Sequence, residues 1–146
     1  MLSKLLVGTW EVVTRIDRTP DGIEVEEPSL GTDPVALIMF DARGRFAAQF
    51  MKRRAVTIGE TLPPGRAAPN NSRAVNGYDA YFGTYKVDDD KALVTLTLTG
   101  ALSRENVGMS LTREMAVTGD RLVIRVPTAT PDGSPVVRTL TCTRAC

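Results

Sequence analysis

Histidine is absent from this 146-residue chain, and its absence excludes more chemistry than any motif supplies. It removes His-ligated haem, most zinc sites, the Ser-His-Asp and Cys-His nucleophile pairs, and the usual general base near neutral pH. Any catalysis would have to rest on carboxylates, tyrosine, lysine, arginine or confinement, and no catalytic residue is identifiable from the sequence. Cysteine is nearly as scarce. Cys142 and Cys146 stand four apart, a spacing that matches neither a disulfide framework nor a metal knuckle. Cys142, if in a strand, is most simply a small buried hydrophobe. No metal site and no cofactor are expected. Excess charge is also missing: a net charge of +1 makes no electrostatic case for nucleic acid or for an anionic membrane surface, and neither partner is expected. No apolar run approaches the ~20 residues that span a bilayer. The run at Leu5-Leu6-Val7 stops at Gly8 without a cleavage pattern, so a cytoplasmic protein is expected.

What is present points to one domain over residues 1–146, long enough to bury about two-thirds of its unfolded surface around a single core. The chain is organised around its one tryptophan, in Gly8-Thr9-Trp10. Trp10 supplies the largest apolar surface of any residue here, and Gly8 is expected to let another backbone pass closely. In residues 9–18, Trp10, Val12, Thr14 and Ile16 alternate with Glu11, Arg15 and Asp17, which predicts a half-buried strand with the charges outward. Residues 35–40 and 45–51 form a hairpin about Asp41-Ala42-Arg43-Gly44. Both of its strands are apolar on each face, so alternation does not orient Gln49. Residues 53–70 read as a long loop, a candidate lid, with Asn71-Ser72 placed to cap a short helix reaching Tyr78. Further strands fall at 81–87, 93–99, 108–117, 122–126 and 136–144, with turns at Asp88-Asp89-Asp90, Gly119-Asp120 and Pro131-Asp132-Gly133. The aspartate run lacks the spaced oxygens of a calcium loop and reads as a solvated turn. About eight antiparallel strands predict an all-β sandwich or barrel, with the helix or lid between the third and fourth strands, and a closed barrel of that size has room for one small ligand.

Gly8-Thr9-Trp10, the segment Gly77-Tyr78-Asp79-Ala80-Tyr81-Phe82-Gly83-Thr84-Tyr85-Lys86-Val87-Asp88, Gly119-Asp120-Arg121-Leu122 and the closing Leu140-Thr141-Cys142-Thr143-Arg144 resemble the bacterial and fungal lipocalin-like domain family. The resemblance implies an up-and-down barrel with a ligand cavity, in which a late-strand arginine, here Arg144, packs over the first-strand Trp10. Relatives often carry histidines on the strand that reads Val94-Thr95-Leu96-Thr97-Leu98 here. Without them, the resemblance implies neither a His-dependent activity nor a haem ligand.

Charges that fall on apolar faces mark the candidate site. Arg113 alternates with Met109, Leu111, Met115 and Val117, and Arg138 and Arg144 alternate with Val136, Leu140 and Cys142. Inward guanidinium groups must be paired, must hydrogen-bond backbone, or must hold a ligand. Arg144 fits the structural role on Trp10. Arg113 and Arg138 divide evenly between a buried ion pair and a ligand anchor. Tyr85, inward with Gly83 and Val87, is more readily core filler than ligand contact; Tyr78 and Tyr81, beside the lid, are similar, and Gln49 completes the candidate set. The expected function is binding of an amphipathic or hydrophobic organic small molecule in a barrel cavity. The alternative is a cofactor-independent isomerase or cyclase of specialised metabolism, acting by confinement and by Arg/Tyr stabilisation of an oxyanion. A filled barrel that binds a partner protein is the third reading. If the chain assembles, a symmetric homodimer is the common case.

Overall fold

A computed structural model describes residues 1–54, 60 and 70–145. Among them lie α1 (Leu2–Leu5), β1 (Gly8–Arg18), β2 (Glu24–Val25), β3 (Val35–Phe40), β4 (Arg45–Met51), β5 (Tyr78–Asp88), β6 (Leu93–Ala101), β7 (Ser110–Thr118), β8 (Arg121–Ala129) and β9 (Pro135–Arg144). They form one antiparallel sheet in the order β2-β1-β3-β4-β5-β6-β7-β8-β9, and pairing of β1 with β9 closes eight strands into a barrel. β2 is the extra strand, two residues paired with Asp17 and Arg18 at the far end of β1. No described helix is long and apolar enough to cross a membrane.

One end of the barrel is stoppered. α1 packs against β5 and β7, and Ser3 donates from its backbone N–H and its hydroxyl to the Asp89 carboxylate, each at 2.9 Å. Trp10 is fully buried, and its indole N–H donates to the Leu6 carbonyl at 2.9 Å. The Arg144 guanidinium lies 4.2 Å from the Trp10 ring centroid and donates to the carbonyls of Val7 (3.0 Å) and Leu5 (2.9 Å). Gly8 has a φ of 137°, and a Cβ there would meet Arg144 Nη1 at 2.7 Å. The close approach expected of a second backbone is therefore made by a side chain. Arg144→Ala should cost about 1–3 kcal/mol, through the lost stack and two orphaned carbonyls, and should shift Trp10 emission to the red. Urea unfolding followed by fluorescence reads both effects.

The structure departs from the sequence reading in two places that shape the other end. The register of β1 against β9 slips between Val12 and Thr14, leaving Val13 as an outward bulge, 48% exposed. A bulge inserts one residue and inverts the parity beyond it. Trp10 and Val12 point inward as expected, but past the bulge it is Arg15 and Asp17 that are buried, and Thr14 and Ile16 are not. The second departure concerns the helix expected over 71–78. Residues 71–74 are irregular, Val75 pairs with Tyr78, and Asn76 (φ 50°) and Gly77 (φ 75°) make the turn. An Asn-Gly pair with two left-handed residues suits a tight hairpin turn and ends any helix. Most of the expected lid, residues 55–59 and 61–69, lies outside the described residues, as does Cys146. Cys142 is fully buried, and burial pushes its thiol up to about 12.

Candidate functional site

The open end of the barrel leads into a cavity of about 370 Å³, toward the lower end of the ~300–1,000 Å³ usual for small-molecule sites. Its inner part is apolar, lined by Ile38, Phe40, Phe46, Leu96, Met115 and Ile124 from five different strands. Strand alternation accounts for this: each residue occupies the inward position of its strand. The outer part is charged. Arg15, Asp17, Glu27, Asp79, Arg113 and Arg138 all line it, and of these only Glu27 is more than about a tenth exposed.

Four of these charges are matched in pairs. Arg138 grips Asp17 with two parallel bonds, Nε to Oδ1 at 2.8 Å and Nη2 to Oδ2 at 3.1 Å, and reaches Asn71 Oδ1 at 3.1 Å. Asp17 and Arg138 are also register partners across β1 and β9. Arg15 donates to Glu27 Oε1 at 2.9 Å and to the Gly31 carbonyl at 3.4 Å. Burial, and then the Arg138 charge, lower the Arg15 guanidinium from its usual value. Burial works to raise Glu27, but Arg15, the Ser29 hydroxyl and Arg138 together bring it below the ordinary carboxylate value. These groups hold one another and have little capacity left for a ligand.

Arg113 and Asp79 have no such partner among the described residues. Arg113 donates to the Asn70 carbonyl at 2.6 Å and to its neighbour Thr112 at 3.4 Å, and it interacts with the Tyr81 hydroxyl, while burial lowers its guanidinium. Asp79, 4% exposed, accepts a hydrogen bond from the Ser72 hydroxyl. Burial raises its carboxyl, opposed by Ser72, a backbone N–H, and the charges of Arg15 and Arg138.

An eight-stranded closed barrel with a tryptophan plug, an arginine over it and an internal cavity decides the comparison with known proteins, for residues 7–145 match the family model described as a lipocalin-like domain. The chain belongs to the lipocalin-like family. No curated protein matches it. A lipocalin-like barrel supports ligand binding at a general level, and the cavity is where binding would occur.

Within this lipocalin-like barrel the sequence-derived candidates separate. Arg113, Arg138 and Tyr81 come together at the cavity. Tyr85 keeps the inward parity of Gly83 but sits past the cavity floor, its ring edge-on to Phe40 at 5.1 Å and its hydroxyl donating to the Asp41 carbonyl at 2.5 Å. Gln49 points to solvent, and its Oε1 accepts the Tyr78 hydroxyl at 2.8 Å on the outer face. Sequence reasoning missed Arg15, Asp17, Glu27, Ser72 and Asp79. For Asp79 a signal was there: stepping back two residues from inward Tyr81 along β5 places it on the same face.

Proposed function

We propose that the barrel binds an amphipathic organic anion, its apolar body among Ile38, Phe46 and Met115 and its oxyanion head against Arg113. The observation that carries this reading is the unmatched guanidinium. Arg15 and Arg138 each hold a carboxylate, whereas Arg113 opens onto the same cavity with none among the described residues. A planar guanidinium holds a carboxylate through short, charge-assisted bonds, and water exclusion below it strengthens them. An apolar tail of moderate length fills the remaining space.

Titration with dodecanoate, followed by native mass spectrometry, should give one-to-one adducts. Arg113→Leu should weaken binding at least tenfold, because a charged hydrogen bond contributes about 1.5–3 kcal/mol. The variant should stay folded, with Trp10 emission unchanged, since an apolar residue replaces a buried charge that has no carboxylate partner among the described residues. Loss of folding with binding intact in the folded fraction would instead make Arg113 a structural group. The isomerase or cyclase reading draws its support from the hydroxyl and carboxyl groups beside Arg113. Recovery of a chemically altered ligand after incubation, lost in Arg113→Leu, would favour it over carriage.

A further inference from the structure

We infer that the outer face of β3, β4 and β5 is an interface on which a second copy of this chain docks, giving a two-fold symmetric dimer. The inference is independent of the anion site, which uses the inner face of the barrel.

A strand with one face in water alternates apolar with polar residues, and β3 does not. Val35-Ala36-Leu37-Ile38-Met39-Phe40 has no polar side chain on either face, the composition of a strand covered on both sides. Ala36, Ile38 and Phe40 point into the barrel, whereas Val35, Leu37 and Met39 point out. The register carries this outward row across two more strands, setting Val35 beside Met51 and Tyr78, Leu37 beside Gln49 and Ala80, and Met39 beside Ala47 and Phe82. None of these positions is charged. The wall on the other side is polar: β6, β7 and β9 turn Thr95, Thr97, Thr99, Thr112, Thr139 and Thr141 outward, and Glu114 of β7 pairs with Arg125 of β8 in solvent.

The relief of the apolar face fits it to its own copy. Ala47, Gln49, Ala80, Phe82 and Leu102 line a shallow hollow of about 180 Å³ over β4 and β5. Beside it, Leu37 and Met39 of β3 stand out as a ridge. A two-fold axis running along β4 lays the ridge of each copy into the hollow of the other, so one surface supplies both halves of the contact. Phe82 forms the outer wall of that hollow, with solvent beyond it. The same axis brings Gln49 against its twin. Gln49 Oε1 accepts the Tyr78 hydroxyl, and the Gln49 amide N–H groups donate to no described residue. Across the axis each amide can donate to the other's Oε1, which has a second lone pair. The flanks are charged, with Asp41 and Arg45 beyond one end and the Asp33–Arg53 pair beyond the other, the polar rim of an interface.

The area sets the strength. Val35, Leu37, Met39, Met51 and Phe82 are 43% to 56% exposed. With Gln49 they offer roughly 550 Å² per copy, so a dimer buries roughly 1,100 Å², just above the ~1,000 Å² a biological interface needs. Reversible association in the micromolar range follows, not an obligate dimer.

Sedimentation velocity on the intact protein, from about 5 μM to about 500 μM, should show monomer passing into dimer. A monomer throughout that range would overturn the interface. Leu37→Lys combined with Met39→Lys should weaken association by about a hundredfold or more, because like charges then meet across the axis. Trp10 emission should stay unchanged, since both positions are exposed. Thr97→Lys, on the polar wall, should leave the dimer intact. A dimer that survives the double replacement, or that Thr97→Lys breaks equally, would place the contact elsewhere and end the proposal. Oxidation of the parent by peroxide guards against a variant that fails to fold. Met39 and Met51 should be oxidised several-fold more slowly at the high concentration than at the low one, relative to Met1, which is 74% exposed. Equal rates would also end the proposal. So would co-sedimentation of a monomer with phosphatidylcholine–phosphatidylglycerol vesicles that is lost in the double variant, which would assign the face to lipid.

Discussion

Arg138→Leu should destabilise the barrel by about 3–5 kcal/mol, the cost of leaving a buried charge without its partner. Asp17, 6% exposed, would lose both guanidinium bonds and keep no other ion pair among the described residues. Asp17→Leu should cost a similar amount by stranding Arg138. The double replacement should recover most of the loss, because two leucines bring neither charge into the barrel wall. A double-mutant cycle by urea unfolding would read this as a coupling energy of several kcal/mol. Additive single losses would show the two residues acting separately, and a loss under 1 kcal/mol for Arg138→Leu would free that arginine for a ligand. The pair also defines the cavity. By occupying Arg138 with a fixed carboxylate, it leaves Arg113 as the cavity-lining guanidinium without a carboxylate partner among the described residues.

How far this arrangement could be read from the chain depends on parity. The eight barrel strands follow from alternation and turn residues, and the inward positions of Arg113 and Arg138 follow from the same counting, because β7 and β9 carry it without interruption through both residues. β1 does not. Val12-Val13 gives two apolar residues in a row, and Ile16 extends the Trp10 pattern along the chain, so nothing in the local sequence marks Val13 as the residue to skip. The register with β9 marks it, through pairings more than a hundred residues away. That single bulge hid Arg15 and Asp17, and with them the partner that decides what Arg138 does. Glu27 and Ser72 sit in connections without period, where only the closed barrel brings them over the mouth.

Gly83→Ala should be among the most damaging single-methyl additions to the fold, costing about 3 kcal/mol or more, at or beyond the upper end of ordinary overpacking. Gly83 faces inward on β5 where the register against β6 shifts, between Phe82 and Gly83. A Cβ there would lie 1.8 Å from the Thr97 carbonyl oxygen and 2.9 Å from both the Thr97 carbonyl carbon and the Thr99 nitrogen. All three atoms are backbone of a paired strand, so relief requires β5 and β6 to part, breaking ladder bonds in the barrel wall. Gly100 provides the control on the same pair of strands. A Cβ at Gly100 would meet the Phe82 ring at 2.3 Å, closer than any real contact, but Phe82 is 56% exposed and its side chain is free to swing into solvent. Gly100→Ala should therefore cost well under half as much as Gly83→Ala when both are measured by thermal and urea unfolding. Equal losses would mean that the strands tolerate separation at the bulge. The distinction extends to the site, because Asp79 and Tyr81 stand four and two residues before Gly83 on the same inward face. Parting the strands at Gly83 should disturb Tyr81 directly, so the Gly83 variant should lose binding of dodecanoate at temperatures where it is still folded, whereas the Gly100 variant keeps it.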